Sequence, residues 1–134
     1  MNRSEARIII MTILYQIELY KNNKLEYTKE DVIKENLEVD NEFVKSCVNG
    51  VLEHEKEIID TANKYLNDWT LNRLGLTDQA IIKLGIYELL YTDTPAVVAI
   101  NETVELAKKY SDEKVKNMIN GVLDKIYKNK VDHE

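Results

Sequence analysis

Residues 95–125 read PAVVAINETVELAKKYSDEKVKNMINGVLDK and include the only proline of the chain. Pro95 suits the first position of a helix, which we predict to run to Tyr110. Ser111 or Asp112 is predicted to cap a second helix, because its apolar side chains recur at i, i+3, i+4 and i+7. These side chains are Val115, Met118, Ile119, Val122, Leu123 and Ile126. The segment therefore predicts two consecutive amphipathic helices.

The rest of the chain continues the helical pattern, and no alternating apolar pattern of a strand occurs. The first helix is apolar almost all round, so we expect it inside the bundle. Thr28 followed by Asp31 resembles a capping box, and Asp40 is predicted to cap a long helix. Further predicted helices cover residues 4–20, about 28–37, 40–66 and 77–90. The sequence thus predicts an all-α bundle of about six to seven helices in a single domain, residues 1–134.

Two segments of the chain resemble each other. Residues 42–53 read EFVKSCVNGVLE and residues 113–124 read EKVKNMINGVLD. A glycine inside a helix costs about 1 kcal/mol relative to alanine, and its usual compensation is close helix approach. We therefore predict two packed, internally similar three-helix halves with Gly50 and Gly121 at equivalent tight crossings, so that Gly121→Leu destabilises the fold. The alternative is chance similarity between amphipathic helices. The halves would cover about residues 1–70 and 71–134.

Composition narrows the functional classes. The 134 residues are 44% apolar and 31% charged, as in an ordinary globular domain. The single cysteine, Cys47, excludes an internal disulfide and cannot by itself build a metal site. His54 and Glu55 begin like a zinc-protease helix, but Ile58 stands where the second histidine is required. His133 is far away in the sequence. We predict that the protein is not an enzyme and has no catalytic residues, metal or cofactor.

No apolar run approaches the roughly 18 residues that a membrane span needs, and no cleavable signal peptide is evident. The predicted location is the cytoplasm, with no membrane partner.

Charge is unevenly distributed along the chain. The net charge is −6, which argues against a nucleic-acid partner because phosphate attracts lysine and arginine. However, residues 1–25 hold four basic and two acidic side chains, and residues 108–130 hold seven basic and three acidic ones. Residues 26–68 hold twelve acidic and five basic side chains. Two basic ends would suit RNA if they meet in the fold; the alternative is scattered solvated charge.

The first helix offers a possible RNA contact. Arg3, Arg7, Met11 and Tyr15 are spaced by four residues and so line one flank. Guanidinium groups beside a stackable ring suit single-stranded RNA. The alternative is that Met11 and Tyr15 belong to the core and that the arginines are solvated.

The last helix and the helix after Pro95 carry further candidates. Met118 lies at the rim of the apolar stripe beside Lys114, so it could touch a base or a partner. Asn101 and Glu105 share one flank of the preceding helix and could form a recognition edge. Ordinary packing and a solvated surface are the alternatives.

The amino-acid sequences of several segments resemble those of the NusB family of transcription antitermination factors. The matching segments are AINETVELAK and MINGVLDK near the end, SEARIIIMTILYQIE near the start, and LTDQAIIKLGIYELL before the proline. The resemblance covers nearly the whole chain and implies a non-enzymatic fold of two small helical bundles. It also implies that the protein, with the small-subunit ribosomal protein NusE, binds the boxA element of nascent RNA, notably in ribosomal RNA operons. The complex helps RNA polymerase to read through terminators.

The resemblance also implies roles for individual residues. By position, Arg3, Arg7 and the neighbourhood of Met118 would form the RNA side, and Tyr15 and Asp78 would lie on the NusE side. Our RNA-binding prediction names Arg3, Arg7, Lys114, Asn117 and Met118. Our partner-binding prediction names Tyr15, Asp78, Asn101 and Glu105.

Two departures from the family pattern imply a weaker grip on RNA without the partner. Ser4 and Glu5 interrupt the arginine run that opens many relatives, and Met118 stands where relatives often have phenylalanine. One alternative is therefore a protein–protein adaptor or homodimer that binds no RNA itself. Another is a separate copy of the NusB-like domain that is attached to some ribosomal RNA methyltransferases.

Overall fold

Residues 1–132 are described by a computed structural model, and His133 lies outside the described residues. Within that range the chain is entirely helical, with no strand, which confirms the all-α prediction. Seven α-helices and one short 3-10 helix follow one another: α1 (Arg3–Asn22), α2 (Lys29–Glu35), α3 (Glu42–Glu53), α4 (Glu55–Tyr65), the 3-10 helix (Leu71–Arg73), α5 (Leu76–Tyr91), α6 (Ala96–Tyr110) and α7 (Glu113–Asp132). None of these helices is long and apolar enough to cross a membrane.

The predicted long helix over residues 40–66 is interrupted. At His54 the backbone adopts φ −102° and ψ 17°, so α3 ends there and α4 starts afresh. Apolar periodicity continues through this point, which is why the sequence pattern did not reveal the break. Asn41, not Asp40, caps α3 by accepting a hydrogen bond from the backbone N–H of Val44 at 3.0 Å. The Asp40 carboxylate instead pairs with Lys45 at 3.1 Å.

Helix α5 is the centre of the bundle. It packs against α1, α3, α4, α6 and α7, and four of its large side chains are almost fully buried: Ile81, Ile82, Leu84 and Ile86. The expectation that the first helix lies inside the bundle is confirmed over residues 6–20, where every side chain is buried or half-buried and α1 packs mainly against α2, α3 and α5. The largest fully buried side chains of α1 are Ile10, Ile13 and Ile17, which form its inner face.

Of the two close helix approaches predicted at Gly50 and Gly121, the structure contains only the one at Gly50. A Cβ at Gly50 would overlap the ring of Tyr87, so the close approach predicted for Gly50 is confirmed. A Cβ at Gly121 would meet nothing within 4 Å, so the crossing predicted there is wrong. Gly121 instead lines an open groove whose other side is formed by the end of α4 and the loop that follows it. The division into two similar halves stays a prediction, without the equivalence of the two glycines.

Candidate nucleic-acid interface

Arg7 on α1 is held in a buried ion pair. Its Nε donates to Glu88 Oε2 at 2.7 Å and its Nη2 to Glu88 Oε1 at 2.9 Å. The two side chains are only 5% and 0% exposed. Glu102 contributes a further oxygen 3.6 Å from Nη1. The guanidinium is therefore fully engaged inside the protein, in the two-pronged geometry that arginine makes with a carboxylate.

The electrostatics agree with this assignment. Burial by itself lowers the pKa of Arg7, but the hydrogen bonds and negative charge of Glu88, together with Glu102, outweigh it and raise that pKa above its ordinary value. Arg7 thus links α1 to α5 as a permanent cation. This corrects the expectation that Arg7 faces solvent with Arg3, and Met11, at 5% exposure, belongs to the core as well.

Arg3 remains available at the start of α1. Its guanidinium lies 3.9 Å from the centre of the Phe43 ring, within the range of a cation–π contact. Both residues line a cleft of about 430 Å³ that also includes Tyr87 and Pro95. Arg3 is exposed, whereas Ser4, the next residue, donates a hydrogen bond to Glu102 at 3.0 Å. One of the two predicted arginines therefore presents its charge to solvent.

A second basic surface lies on α7. Lys114 and Asn117 are exposed and Met118 is half-buried, so the three predicted residues share an accessible part of the helix. The Lys114 ammonium lies 5.9 Å from the ring centre of Trp69, which is 42% exposed. Asp112 rather than Ser111 caps this helix, because its carboxylate accepts from the backbone N–H of Val115 at 2.8 Å.

Trp69 was missed by the sequence reasoning. It is the only tryptophan of the chain and lies between polar residues in the stretch LNDWTLN. That isolation in a polar loop was the available signal, since a core tryptophan normally has apolar neighbours at helical spacing. The structure places its ring at a groove of about 260 Å³ between the end of α4 and α7, with Met118, Gly121 and Lys125 along the other side.

The two basic surfaces do not share a pocket. Arg3 lies beside α3 and the start of α6, whereas Lys114 lies beside the loop after α4. The two basic segments do come together elsewhere, because Ser4 and Ile8 of α1 line one groove with Lys108 and Lys109 at the end of α6. Arg3 and Lys114 themselves are two separate contact points on the bundle.

The four predicted partner-binding residues are distributed over three helices. Tyr15 on α1 and Asp78 on α5 are half-buried, and Asp78 accepts a short hydrogen bond from the Ser111 hydroxyl. Asn101 and Glu105 are exposed on α6. Glu105 lines a groove of about 530 Å³ between α1 and α6, to which the other three residues do not contribute.

The side chains that could serve in catalysis or metal binding, such as Cys47 and His54, are not grouped into a site among the described residues. Burial raises the pKa of the Cys47 thiol to about 12, so that this group stays protonated and unreactive at neutral pH. His54 stacks on Tyr91 with ring centres 4.2 Å apart. Among residues 1–132, no three histidine, cysteine or carboxylate side chains are grouped in a way that could hold a metal ion.

The chain is similar to known proteins in both sequence and fold. A model of the NusB family matches residues 4–128. The chain is 40% identical over 133 residues to the transcription antitermination protein NusB of Staphylococcus aureus (strain JH9), covering 96% of this chain and 100% of that protein. NusB of T. maritima has the same fold, with a TM-score of 0.85 and 32% identity over 96% of this chain and 92% of that one.

A further similar structure contains partners. It is a crystal structure of the antitermination factors NusB and NusE in complex with dsRNA. The matching chain has a TM-score of 0.80 and 29% identity, covering 95% of this chain and 96% of that one.

Proposed function

The chain belongs to the NusB family, and from this premise we propose that it is a transcription antitermination factor. It binds boxA-type single-stranded RNA together with the ribosomal protein NusE, and it supports transcription of ribosomal RNA as part of the RNA polymerase antitermination complex. It acts by binding, without catalysis, in the cytoplasm where transcription takes place. The relative solved with NusE and double-stranded RNA supports NusE and RNA as the partners, and the single-stranded form of the RNA follows from the resemblance to the family.

The exposed surface of α7 is the observation that carries this proposal. Lys114 can pair with phosphate, Asn117 can donate to or accept from a base edge, and Met118 offers an apolar contact. These residues lie together on one accessible part of a single helix. Arg3 supplies a second phosphate contact near the start of α1, while Arg7 supports the fold and does not touch RNA in this proposal.

The proposed partner contacts are Tyr15 on α1, Asp78 on α5, and Asn101 and Glu105 on α6. Docking of NusE there would complete the RNA-binding surface. This completion matters because the net charge of −6 gives the protein alone a weak long-range attraction for RNA.

The burial of Arg7 favours one other candidate function. With only Arg3 left at the start of α1, the protein has fewer cations for phosphate than the spacing of arginines suggested. The alternative is an adaptor or homodimer that binds proteins and no RNA. Its groove between α1 and α6 would then be the principal contact surface.

Fluorescence anisotropy distinguishes the two functions. A labelled boxA-type RNA is titrated with this protein, with NusE and with an equimolar mixture, at several salt concentrations. We expect the tightest binding with the mixture and an affinity that falls as salt rises. A mixture that does not bind the RNA at any salt concentration would exclude RNA binding and leave the adaptor, whose oligomeric state sedimentation would then give.

Lys114 provides a specific prediction. Lys114→Glu should weaken RNA binding by the mixture about tenfold and reduce the salt slope by about 0.7, as expected for one lost phosphate contact to a single strand. Anisotropy at several salt concentrations measures both quantities. Lys34→Glu, an equal charge change at an exposed position on α2, is the matched control and should leave the slope unchanged. Equal losses in both variants would show that only net charge matters.

A further inference from the structure

Gly121 is a helical glycine that the fold does not explain. It lies well inside α7, where glycine is less stable than alanine, yet a Cβ at this position would meet nothing within 4 Å. In contrast, the ring of Tyr87 occupies the space beside Gly50, and the side chain of Thr103 occupies the space beside Gly85. The absence of a side chain at Gly121 therefore keeps a space open and does not bring two helices together.

That space is the groove beside Trp69. Gly121 lies with Met118 and Val122 on the α7 side, and the indole of Trp69 lies on the other. At about 260 Å³, the groove is smaller than the pockets of roughly 300–1,000 Å³ that take drug-sized ligands. Its size and its flat indole wall suit a single planar ring better than a larger ligand or a helix.

The charges at the groove suit a nucleotide. The ammonium of Lys114 lies over the Trp69 ring, and Lys125 lines the groove directly. Asp68 is the one acidic side chain among the described residues of the lining, so the two positive charges of Lys114 and Lys125 outweigh its single negative charge. Stacking of a base on an aromatic ring, with cations beside it for the phosphate, is the usual arrangement in proteins that bind single strands.

From these observations we infer that the groove between Trp69 and Gly121 holds one unpaired base of the bound RNA. The base stacks on the indole of Trp69, with Met118 at its edge and Lys114 or Lys125 on its phosphate. Gly121 is the residue that leaves room for it. The inference rests on the proposed function and adds to it the residue that contacts a base.

The single tryptophan makes the inference directly measurable. Single-stranded boxA-type RNA is added to the complex with NusE while the fluorescence of Trp69 is followed, and a complex made with Trp69→Phe supplies the background. We expect quenching, since stacking places the base against the indole. A fully paired duplex of the same sequence offers no free base and should bind with little quenching.

Variants separate the groove from the rest of the surface. Gly121→Leu extends a side chain into the groove from a position where a Cβ meets nothing within 4 Å, and it is expected to fold, which circular dichroism checks. It should remove the quenching and weaken RNA binding about tenfold, as should Trp69→Ala. Asn129→Leu places the same leucine side chain at an exposed position of α7 outside the groove and should change neither.

Each outcome has a distinct meaning. Unchanged anisotropy affinity in Gly121→Leu and Trp69→Ala, with no quenching in the wild type, would overturn the inference and leave the proposed function standing. Loss of NusE binding with unchanged RNA affinity would show that the groove docks protein, and would also overturn it. Absence of RNA binding by the wild-type complex would overturn both.

Discussion

Arg7→Ala is expected to lower the free energy of unfolding by about 3–5 kcal/mol, the range found when one partner of a buried ion pair is removed. Glu88 would lose its cationic partner in a site where its side chain is 0% exposed. Its remaining neighbour is the hydroxyl of Thr94, which donates to Oε1 at 3.3 Å. One hydrogen bond from a neutral hydroxyl cannot replace two from a charged guanidinium. Urea unfolding followed by circular dichroism measures the loss.

A surface ion pair provides the control for Arg7. Lys45 contacts Asp40 and Glu42, whose side chains are 73% and 82% exposed, so Lys45→Ala should leave the free energy of unfolding almost unchanged. The double change Arg7→Met with Glu88→Leu should recover most of the lost stability, because no uncompensated charge remains. A loss below about 1 kcal/mol for Arg7→Ala would mean that the pair is solvated. Variants at Arg7 are for the same reason unsuited to testing RNA contact; Arg3 is the appropriate position.

Gly85→Ala is expected to destabilise the protein by about 2–3 kcal/mol through overpacking. The new Cβ would lie 2.6 Å from Cγ2 and 2.7 Å from Oγ1 of Thr103. Thr103 is 1% exposed, and its hydroxyl donates to the carbonyl of Ala99 at 2.7 Å. Because a β-branched side chain in a helix has few other rotamers, α5 and α6 would have to separate. Urea unfolding measures the change, and the same substitution at Gly121 is the matched control.

Gly121→Ala should have the opposite sign. With no neighbour within 4 Å of the new methyl group, only helix propensity changes, and the protein should gain up to about 1 kcal/mol. Equal destabilisation at both positions would contradict the packing described for α7 and restore the crossing that the sequence repeat suggested.

The comparison of the two glycines shows what the sequence can and cannot reveal. Local patterns predicted the helices well, since apolar spacing and caps such as Thr28, which accepts from the N–H of Asp31 at 3.1 Å, act over a few residues. A glycine within a helix is visible in the sequence as an unfavourable choice. Which atoms fill its space is not, because Thr103 approaches Gly85 from another helix.

The candidate site divides in the same way. The sequence resemblance to the family indicated RNA contacts on α7, and the exposure of Lys114 and Asn117 agrees with that prediction. The partner of Arg7 lies 81 residues away in the sequence, so spacing along α1 could indicate only a shared flank and not an ion pair with Glu88. Trp69 became visible as part of a surface only when α7 was placed beside the loop after α4.

Specific recognition of boxA RNA by the complex with NusE is the central claim, and a competition measurement tests it most directly. Labelled boxA-type RNA is bound to the equimolar complex and displaced with unlabelled boxA RNA or with a scrambled RNA of the same length and composition, at one fixed salt concentration. The account predicts that the scrambled RNA is a far weaker competitor, because base contacts discriminate while phosphate contacts do not. Equal competition by the two RNAs would contradict it.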